Sequence, residues 1–511
     1  VKDKVLFSSR PVEGSLDQEW FGAGPPPAKG KLECYDLRAR TNETLVDGIT
    51  TFVVSQDGST LAYRAGNRLR ILEAGKKPPE EDGRDGEPGR KSGWLDLDRI
   101  KVSVVPQMEW EQMYREAWRM QRDHFWTPDM SGIDWQGVYE RYLPLLKRAA
   151  TRSEVSDVLR EMQGELGTSH AYEIGGDYRA EPQYPQGHLG AEFAFDQATA
   201  SYVVTRVIRG DPWSDEAGSP LARAGIDVQP GDRLVAIGGQ RLNRDVSPQS
   251  LLVHQAGLWV QLRVVPAGGG PARTITVKTL RNEHPARYRD WVESNRQVVH
   301  QATEGRVGYV HIPDMGPSGY AEFHRGFLAE ADRDGLIVDV RYNGGGHVSE
   351  LLLEKLARKR LGYDIQRWGE PSPYPSLSVV GPIVALTNEF AGSDGDIFSH
   401  AFKMLGLGPL IGKRTWGGVI GINLNDRLQD GSITTQPEFS FWFTDVGFGV
   451  ENYGTDPTIT VEIRPQDYVA GRDTQLDRGL EEIKRMLAAG GVRKPAFGER
   501  PRLAAPPLPE A

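Results

Sequence analysis

The chain is poor in the features that mark several large classes of protein. Its 511 residues include one cysteine, Cys34, which excludes an internal disulfide framework and a multi-cysteine metal site and is typical of a reducing cytoplasm. No apolar run approaches the length of a membrane span, so we expect no membrane partner. Acidic residues outnumber basic ones, 70 against 61, and this net charge of -9 disfavours a nucleic-acid-binding surface.

Sequence motifs for common cofactors are absent as well. The chain has no Walker loop, no His-Glu-x-x-His and no cysteine cluster, so we expect it to need neither a nucleotide nor a metal. Its length exceeds what one hydrophobic core accommodates and predicts three or four domains. It begins at Val1, with no initiator Met and no signal-peptide pattern, which indicates the C-terminal part of something longer.

The character of the sequence changes three times in the first part of the chain. Residues 1–75 hold short β-like pieces separated by turns, a rhythm that resembles one or two C-terminal blades of a β-propeller. Residues 76–97 begin with a stretch rich in Lys, Pro, Glu, Asp and Gly and predict a disordered linker. Residues 98–185 show helical spacing and predict a bundle, with one helix opened by Ser153 and a final turn at His170.

The next segment, residues 186–282, carries three recognisable features in a fixed order. A Leu-Gly-Ala loop at 189–191 is followed by strands and then by Pro-Gly-Asp at 230–232. This order resembles the PDZ domains embedded in bacterial proteases. Such domains bind a peptide C-terminus along an edge strand, with backbone N–H groups holding its carboxylate. The alternative is a structural spacer whose groove is filled or unused.

Residues 283–485 predict two strand–turn–helix units of one α/β layer. Each unit has an apolar strand suited to burial on both faces, a turn of small residues and an amphipathic helix. The tail that follows, residues 486–511, is predicted to be disordered. The successive strands, turns and helices are 335–341, 342–346 and 349–358 in the first unit, and 383–386, 387–393 and 394–405 in the second.

Ser393 lies at the end of the turn that joins the second strand to its helix. The unpaired N–H groups of a helix's first turn lie beside such a residue, and the positive end of the helix dipole favours negative charge there. A serine whose attack creates an oxyanion fits this position. A plain helix N-cap is the alternative, since Ser is a favoured capping residue.

Three motifs of the last domain resemble the tricorn protease family. They are Asn-Glu-Phe-Ala-Gly-Ser-Asp-Gly-Asp at 388–396, Thr-Trp-Gly-Gly-Val at 415–419, and Gly-Phe-Gly-Val-Glu-Asn-Tyr-Gly at 447–454. The resemblance covers roughly residues 100–483, with a weaker propeller match before them. It implies a multidomain α+β fold: a partial β-propeller remnant, a helical bundle, a PDZ domain and an α/β catalytic domain of the crotonase-like, tail-specific peptidase type.

The resemblance also implies roles for seven residues. A serine hydroxyl is a poor nucleophile near neutral pH and needs an adjacent base, for which histidine is suited. The specificity acid would favour a basic residue before the scissile bond, and it could reach in from a neighbouring subunit. The matching residues are the nucleophile Ser393, its base His170, Ser169 and Glu451, which orient and polarise the imidazole, the oxyanion amides of Gly346 and Asp394, and the specificity acid Asp364.

The residues themselves leave one competing base open. His347 follows the three glycines and is that competitor. His400 lies two helical turns from Ser393, about 10 Å of rise, which is too far. Tail-specific peptidases often use a Ser/Lys dyad, but Lys403 lies nearly three turns along the helix and Lys413 lies in a loop, so a histidine base is favoured.

The predicted function is that of a cytoplasmic serine endopeptidase that degrades peptides or unfolded polypeptides through an acyl-enzyme. The competing hypothesis is a catalytically inactive, PDZ-bearing scaffold that binds peptides. By resemblance, the partners are peptide substrates, further copies of the chain in a ring-like homo-oligomer, a hexamer, and downstream aminopeptidases. No cofactor is expected.

Overall fold

The computed structural model describes residues 3–11, 28–78, 87–179, 181–423, 427–490, 492, 495–501 and 503. Contacts divide the chain into two compact units, Val1–Asp177 with Ile422–Phe439, and Tyr178–Gly421 with Ser440–Ala511. The segment Ile422–Phe439, which lies within the predicted catalytic domain, is part of the first unit. None of the described helices is both long and apolar enough to cross a membrane.

The N-terminal part of the first unit consists of two three-stranded antiparallel sheets, with strand orders β1-β2-β3 and β4-β5-β6. Side chains alternate between buried and exposed along the strands, and Leu32, Cys34, Leu61 and Tyr63 form the core. The prediction missed β3, whose first four residues are exposed and mostly polar. The strands are β1 (Lys4–Ser9), β2 (Gly30–Asp36), β3 (Thr41–Ile49), β4 (Thr51–Val54), β5 (Thr60–Ala65) and β6 (Arg68–Glu73).

The predicted linker at 76–97 differs from the structure at its C-terminal end. Trp94 is buried, packs edge-on against Tyr63 at 5.7 Å and forms an antiparallel bridge with Arg70. Burial of the large apolar indole stabilises this end of the segment, although the residues before it are mostly polar. The linker residues 79–86 lie outside the described residues.

Three helices follow, α1 (Pro106–His124), α2 (Trp135–Leu146) and α3 (Arg152–Gly164). Their core includes Met113, Tyr114, Leu159 and Met162, which are fully buried. The predicted start of α3 at Ser153 is wrong. Its N-cap is Thr151, which forms a capping box with Glu154, the residue three positions later. A short strand, β7 (Glu173–Ile174), ends this part of the unit.

The segment of the second unit that is predicted to be a PDZ domain forms an antiparallel sheet of order β13-β12-β10-β9-β8, with β11 paired to β10. Strand β8 is therefore an edge of the sheet. Val204, Leu234, Leu262 and Val264 lie in its core. The elements are β8 (Ala191–Asp196), β9 (Ser201–Val207), β10 (Arg233–Ile237), β11 (Gln240–Arg241), α4 (Pro248–Leu251), β12 (Trp259–Val265) and β13 (Arg273–Lys278).

The α/β segment is built on a parallel sheet of order β14-β15-β18-β19-β23. Every residue of β14, β15 and β18 is buried, as predicted for strands covered on both faces. The elements up to β19 are α5 (His284–Ala302), β14 (Val307–His311), α6 (Pro317–Glu330), β15 (Gly335–Asp339), α7 (Ser349–Leu356), β16 (Gly362–Asp364), β17 (Ser372–Tyr374), β18 (Ile383–Thr387), α8 (Asp394–Met404) and β19 (Leu410–Gly412).

The segment Ile422–Phe439 contributes to the first unit through β21, which pairs with β7, and through Leu428, which lies in the core of the three helices. Strand β22 of this segment ends at Phe439. The remaining elements of the chain are β20 (Gly421–Asn423), β21 (Ile433–Thr434), β22 (Gln436–Phe439), β23 (Ile459–Thr460), α9 (Pro465–Val469) and α10 (Thr474–Gly490).

The predicted disordered tail begins too early. Helix α10 continues to Gly490 because Ile483 and Leu487 are buried against the parallel sheet. Beyond it, the Phe497 ring lies edge-on to Tyr363 at 5.3 Å. Residues 504–511 of the predicted tail lie outside the described residues. The mixture of helices and sheets in both units agrees with the predicted multidomain α+β fold class.

Candidate active site

Ser393 occupies the strand-to-helix turn in an unusual backbone conformation. Its φ of 57° and ψ of −121° are sterically costly for a residue with a side chain, and such strain persists only where the surroundings enforce it. The neighbouring Gly392 N–H donates to the carbonyl of Asn343 at 3.0 Å and holds the turn. Ser393 is the N-cap of α8, but its side chain makes no capping hydrogen bond. The plain-cap alternative is therefore wrong.

The glycine-rich loop after β15 packs directly against this serine. A Cβ on Gly345 would lie 2.5 Å from the Ser393 Cβ and 2.8 Å from the carbonyl oxygen of Gly392. A Cβ on Gly346 would lie 2.1 Å from the carbonyl oxygen of Met315. Both glycines also have positive φ, 80° and 148°. Only glycine fits these positions, which brings backbone amides close to Ser393.

Two backbone amides of this region are candidates for an oxyanion hole. Within the described part of the chain, neither the Gly346 N–H nor the Asp394 N–H donates a hydrogen bond to a protein acceptor. The Asp394 carboxylate accepts from the Ser349 N–H at 3.0 Å and from the Ser349 hydroxyl at 2.5 Å, so it ties the start of α7 to the start of α8. Burial raises the pKa of Asp394.

A second buried carboxylate, Asp396, anchors the segment that reaches Glu451. Asp396 is fully buried and accepts from the N–H groups of Gly417 at 2.8 Å and Gly418 at 3.3 Å. Burial raises its pKa to about 6. The next two amides, of Val419 and Ile420, donate to Glu451 Oε2 at 2.7 and 3.1 Å. The segment 417–420 therefore bridges α8 and the half-buried Glu451.

Asp396 is a residue that sequence reasoning missed. It stands three positions after Ser393, within the motif at 388–396, and an acid in the first turn of a helix is ordinarily explained by the helix dipole. Its neighbours on the same face of α8, three and four positions later, are the polar residues Ser399 and His400, so no local pattern marks the position as buried. A carboxylate there needs buried donors, and the glycine amides provide them.

His400 of α8 also contacts the segment that contains Glu451. His400 Nε2 lies 3.1 Å from Asp445 Oδ1, and its Nδ1 lies 3.3 Å from Thr455 Oγ1. These partners precede and follow Glu451 in the chain. His400 is therefore occupied in positioning the Glu451 turn, in agreement with its exclusion as a base.

His170 lies in the first unit, in the turn between α3 and β7. It too has a positive φ, 64°. Its Nδ1 lies 2.8 Å from Ser169 Oγ, the contact that the resemblance implies for these two residues. Thr435 of the returning segment donates its hydroxyl to the His170 carbonyl at 2.5 Å and accepts from the Tyr172 N–H at 2.8 Å. The imidazole is thus contacted by Ser169, whereas the backbone of its turn is held by Thr435, 265 positions away.

The other predicted or competing residues have different surroundings. His347 is exposed, and its N–H donates to the Met315 carbonyl at 2.8 Å. Asp364 is exposed on β16, and no described residue pairs with its carboxylate. Lys403 donates to the Asp456 carbonyl, and Lys413 pairs with glutamates at 2.8 and 3.2 Å, so both lysines have other partners.

Within each unit, the predicted residues are brought together. The second unit places Ser393 beside the Gly345–Gly346 loop and Asp394, and it connects Glu451 to the same helix. The first unit places Ser169 on the His170 imidazole. The catalytic role of each residue stays a prediction.

Family models match three stretches of the chain. They are the tricorn protease C1 domain at residues 106–164, the tricorn protease PDZ domain at 187–282 and peptidase family S41 at 306–461. The last stretch contains Ser393 and Glu451, whereas His170 falls between the first two.

Several known proteins are similar over almost the whole chain. A putative tricorn-like protease C-terminal subunit from Sulfurisphaera tokodaii is 44% identical over 95% of this chain and 55% of its own length. The tricorn protease of Thermoplasma acidophilum is 41% identical over 94% of this chain and 43% of its own. A crystal structure of the tricorn protease matches with a TM-score of 0.86 and 40% identity over 95% of this chain and 46% of that one. The chain spans about half the length of the relatives it matches.

Proposed function

The chain belongs to the tricorn protease family through its C1, PDZ and S41 peptidase domains, and on this premise we propose that it is a serine endopeptidase. Its substrates are peptides or unfolded polypeptide segments, which it cleaves through an acyl-enzyme. The nucleophile is the Ser393 hydroxyl and the general base is His170.

One observation carries the proposal. Ser393 stands at the start of α8 in a strained conformation, and its hydroxyl makes no capping bond to the helix below it. A serine that served the helix would cap it, because that bond stabilises the fold by about 1 kcal/mol. Strain without a capping contribution is typical of residues kept for function.

The surrounding groups supply the remaining chemistry. The Ser393 Oγ attacks the scissile carbonyl carbon while His170 accepts the hydroxyl proton. The Gly346 and Asp394 N–H groups stabilise the oxyanion, since both are available and neither has to break a protein hydrogen bond first. His170 then donates the proton to the leaving amine, and water hydrolyses the ester by the reverse proton transfers. Ser169 and Glu451 orient and polarise the imidazole.

A fluorophosphonate reagent tests this assignment directly. We expect it to label the wild-type chain at Ser393, as located by peptide mass spectrometry, and to leave Ser393→Ala and His170→Ala essentially unlabelled. His347→Ala is the matched control, because it removes the competing histidine of the glycine loop. Labelling that survives in His170→Ala and disappears in His347→Ala would transfer the base role to His347. Absence of labelling together with retained peptide binding would favour the inactive scaffold.

Substrate preference and context extend the proposal. Asp364 favours a basic residue before the scissile bond, and its exposure on β16 leaves its carboxylate available to a neighbouring subunit. The chain acts in the cytoplasm as a ring-like homo-oligomer, a hexamer, and passes its products to aminopeptidases. Its single cysteine agrees with a reducing compartment.

Product profiling tests the specificity acid. A random peptide library digested by the wild type should be enriched in products that end in Arg or Lys. In Asp364→Ala this enrichment should fall roughly 10-fold, because the basic side chain of the substrate no longer meets a carboxylate. An unchanged preference, with cleavage retained, would show that another residue reads the basic side chain.

A further inference from the structure

The loop at 188–190 occupies the place where PDZ domains hold a peptide carboxylate. It leads directly into β8, the edge strand of the sheet. A peptide that lengthens such a sheet lies along the edge strand, and its terminal carboxylate meets backbone N–H groups of the preceding loop. The loop is firmly placed: His188 and Leu280 exchange backbone hydrogen bonds at 3.0 and 2.9 Å, and the Gly190 carbonyl accepts from the Ile208 N–H at 2.8 Å.

A carboxylate of the chain itself already lies in this loop. The Gly190 N–H donates to Glu283 Oε1 at 2.9 Å. Glu283 is the N-cap residue of α5, yet its side chain makes no capping bond to that helix. Its side chain is 15% exposed. The carboxylate therefore turns away from its own helix and toward the PDZ loop.

The second carboxylate oxygen is satisfied by a cation of α5. Arg287 Nε lies 2.6 Å from Glu283 Oε2, and Arg287 Nη1 lies 3.1 Å from Glu192 Oε1 on β8. The guanidinium thus lies between the first helix of the peptidase segment and the PDZ edge strand. One backbone N–H and one guanidinium are the donors that a peptide's terminal carboxylate would need.

The backbone of the loop tolerates little change. Gly190 has a φ of 66°, and a Cβ there would lie 2.6 Å from Ser219 Oγ and 2.7 Å from Ser219 Cβ. Ser219 donates its hydroxyl to the Gly190 carbonyl at 2.9 Å. The orientation of the Gly190 N–H toward Glu283 is therefore a property of the folded loop rather than of a flexible turn.

We propose that Gly190 and Arg287 form a carboxylate-binding site and that its ligand in this chain is the side chain of Glu283. The PDZ domain is then joined to helix α5 through its own ligand site and does not capture peptide C-termini while Glu283 is bound. This resolves the two sequence-based alternatives in favour of a filled groove.

Mass action explains why a free peptide would not displace Glu283. A group tethered by a short linker has an effective concentration on the order of millimolar at its site. Glu283 is tethered by only two residues beyond the Thr279–Leu280 pair that bonds to the PDZ segment. A peptide present at micromolar concentration therefore competes at a large disadvantage.

The contact itself is tested by hydrogen exchange. In a Ser393→Ala background, where bound peptides are not cleaved, we expect Glu283→Ala to speed exchange of the Gly190 amide by at least 10-fold. Glu293→Ala is the matched control, since it removes a Glu–Arg pair at 2.5 Å on the same helix without touching the loop. Glu283→Gln retains an oxygen for Gly190 and should give an intermediate rate, and it serves as the test variant should the alanine variant not fold. Unchanged exchange at Gly190 in a folded Glu283 variant would overturn the proposal.

Ligand capture is tested with a random heptapeptide mixture that carries free C-terminal carboxylates. We expect the Glu283→Ala protein to retain at least 10-fold more of it than the parent or the Glu293→Ala control, and to retain no more than the parent of the same mixture amidated at its C-termini. Equal retention by the parent, or no retention by a folded Glu283→Ala protein, would overturn the proposal. Because the readout is binding in a protein without the Ser393 hydroxyl, neither result depends on the proposed peptidase activity.

Discussion

Ser393 and His170 share a positive φ that few residues with side chains adopt, but the two turns are held in different ways. Around Ser393, the restraints are buried and dense: the Gly345–Gly346 loop, the Asp394 carboxylate and the fully buried Asp396. Around His170, one hydroxyl, that of Thr435, binds both the His170 carbonyl and the Tyr172 N–H.

This contrast indicates which kind of substitution should damage each half of the proposed site. A nucleophile that carries strain needs a rigid frame, and the α/β layer supplies it with buried strands on both sides. A general base must accept a proton and then return it, and a few directed hydrogen bonds suffice to hold its imidazole in position for this. We therefore expect steric changes to be most damaging near Ser393 and hydrogen-bond changes near His170.

The largest effect is expected from removing either reacting group. Ser393→Ala and His170→Ala should each lower kcat/KM by roughly 10⁴- to 10⁶-fold, because the two side chains act as one unit. The measurement is hydrolysis of a fluorogenic peptide, with His347→Ala as the control that retains activity within a few-fold. If the double variant were far slower than either single variant, the two residues would not form a unit.

One added methyl group tests whether the glycine loop positions the oxyanion amides beside Ser393. Gly345→Ala places a Cβ 2.5 Å from the Ser393 Cβ, and the resulting shift should displace the oxyanion amides and lower kcat by about 10²- to 10³-fold. Gly344→Ala is the matched control, since nothing lies within 4 Å of a Cβ there. Similar kcat values for the two variants would mean that the glycine loop does not position the oxyanion hole.

The turn that contains His170 is tested through Thr435, whose hydroxyl bonds to it. Thr435→Val keeps the shape of this buried side chain but removes both of its hydrogen bonds, leaving the Tyr172 N–H without that acceptor. We expect kcat to fall about 10-fold and unfolding free energy to fall by about 1 to 3 kcal/mol. Thr434→Val, which removes only a contact with Gln436, should affect stability alone. Equal loss of kcat in both would remove Thr435 from the positioning of His170.

The smallest effect is a pH dependence of stability on the nucleophile side. Burial raises the pKa of Asp396 from 3.8 to about 6, so the folded state binds more protons than the unfolded state between these values. Its contribution is complete below pH 4 and is lost as the pH rises through 6. Asp396→Asn should flatten this decline by about 1 to 3 kcal/mol, measured by urea unfolding at pH 4, 5 and 6. The same slope in both proteins would contradict the assigned burial.

Much of the structure around Ser393 was predictable, because the sequence patterns that indicate it lie within a few residues of one another. The apolar runs at 335–341 and 383–386 indicate strands that no solvent reaches, and the glycines and Ser393 follow them directly in the chain. The observed strands and helix α8 lie within a few residues of the predicted bounds. The capping residue Thr151 was missed although its signal is equally local, since Glu154 stands at the capping-box spacing from Thr151 and not from Ser153.

Other features have no local signal. Trp94 follows a polar stretch whose composition predicts disorder. Its burial depends on contact with Tyr63, which lies about 30 positions earlier in the chain. Glu283 and Asp396 are ordinary helix-start acids in the sequence. Their partners, the amides of Gly190 and Gly417, approach them only because distant strands and loops pack together.

The turn at Ser393 and the order of the segments follow from local properties of the chain, namely hydrophobic periodicity, small residues and spacing over a few positions. The inclusion of Ile422–Phe439 in the first unit and the contact of Thr435 with the turn of His170 depend instead on long-range packing. That contact joins Thr435 to Tyr172, 263 positions apart, and its existence depends on the path of the whole intervening chain rather than on any pattern within it.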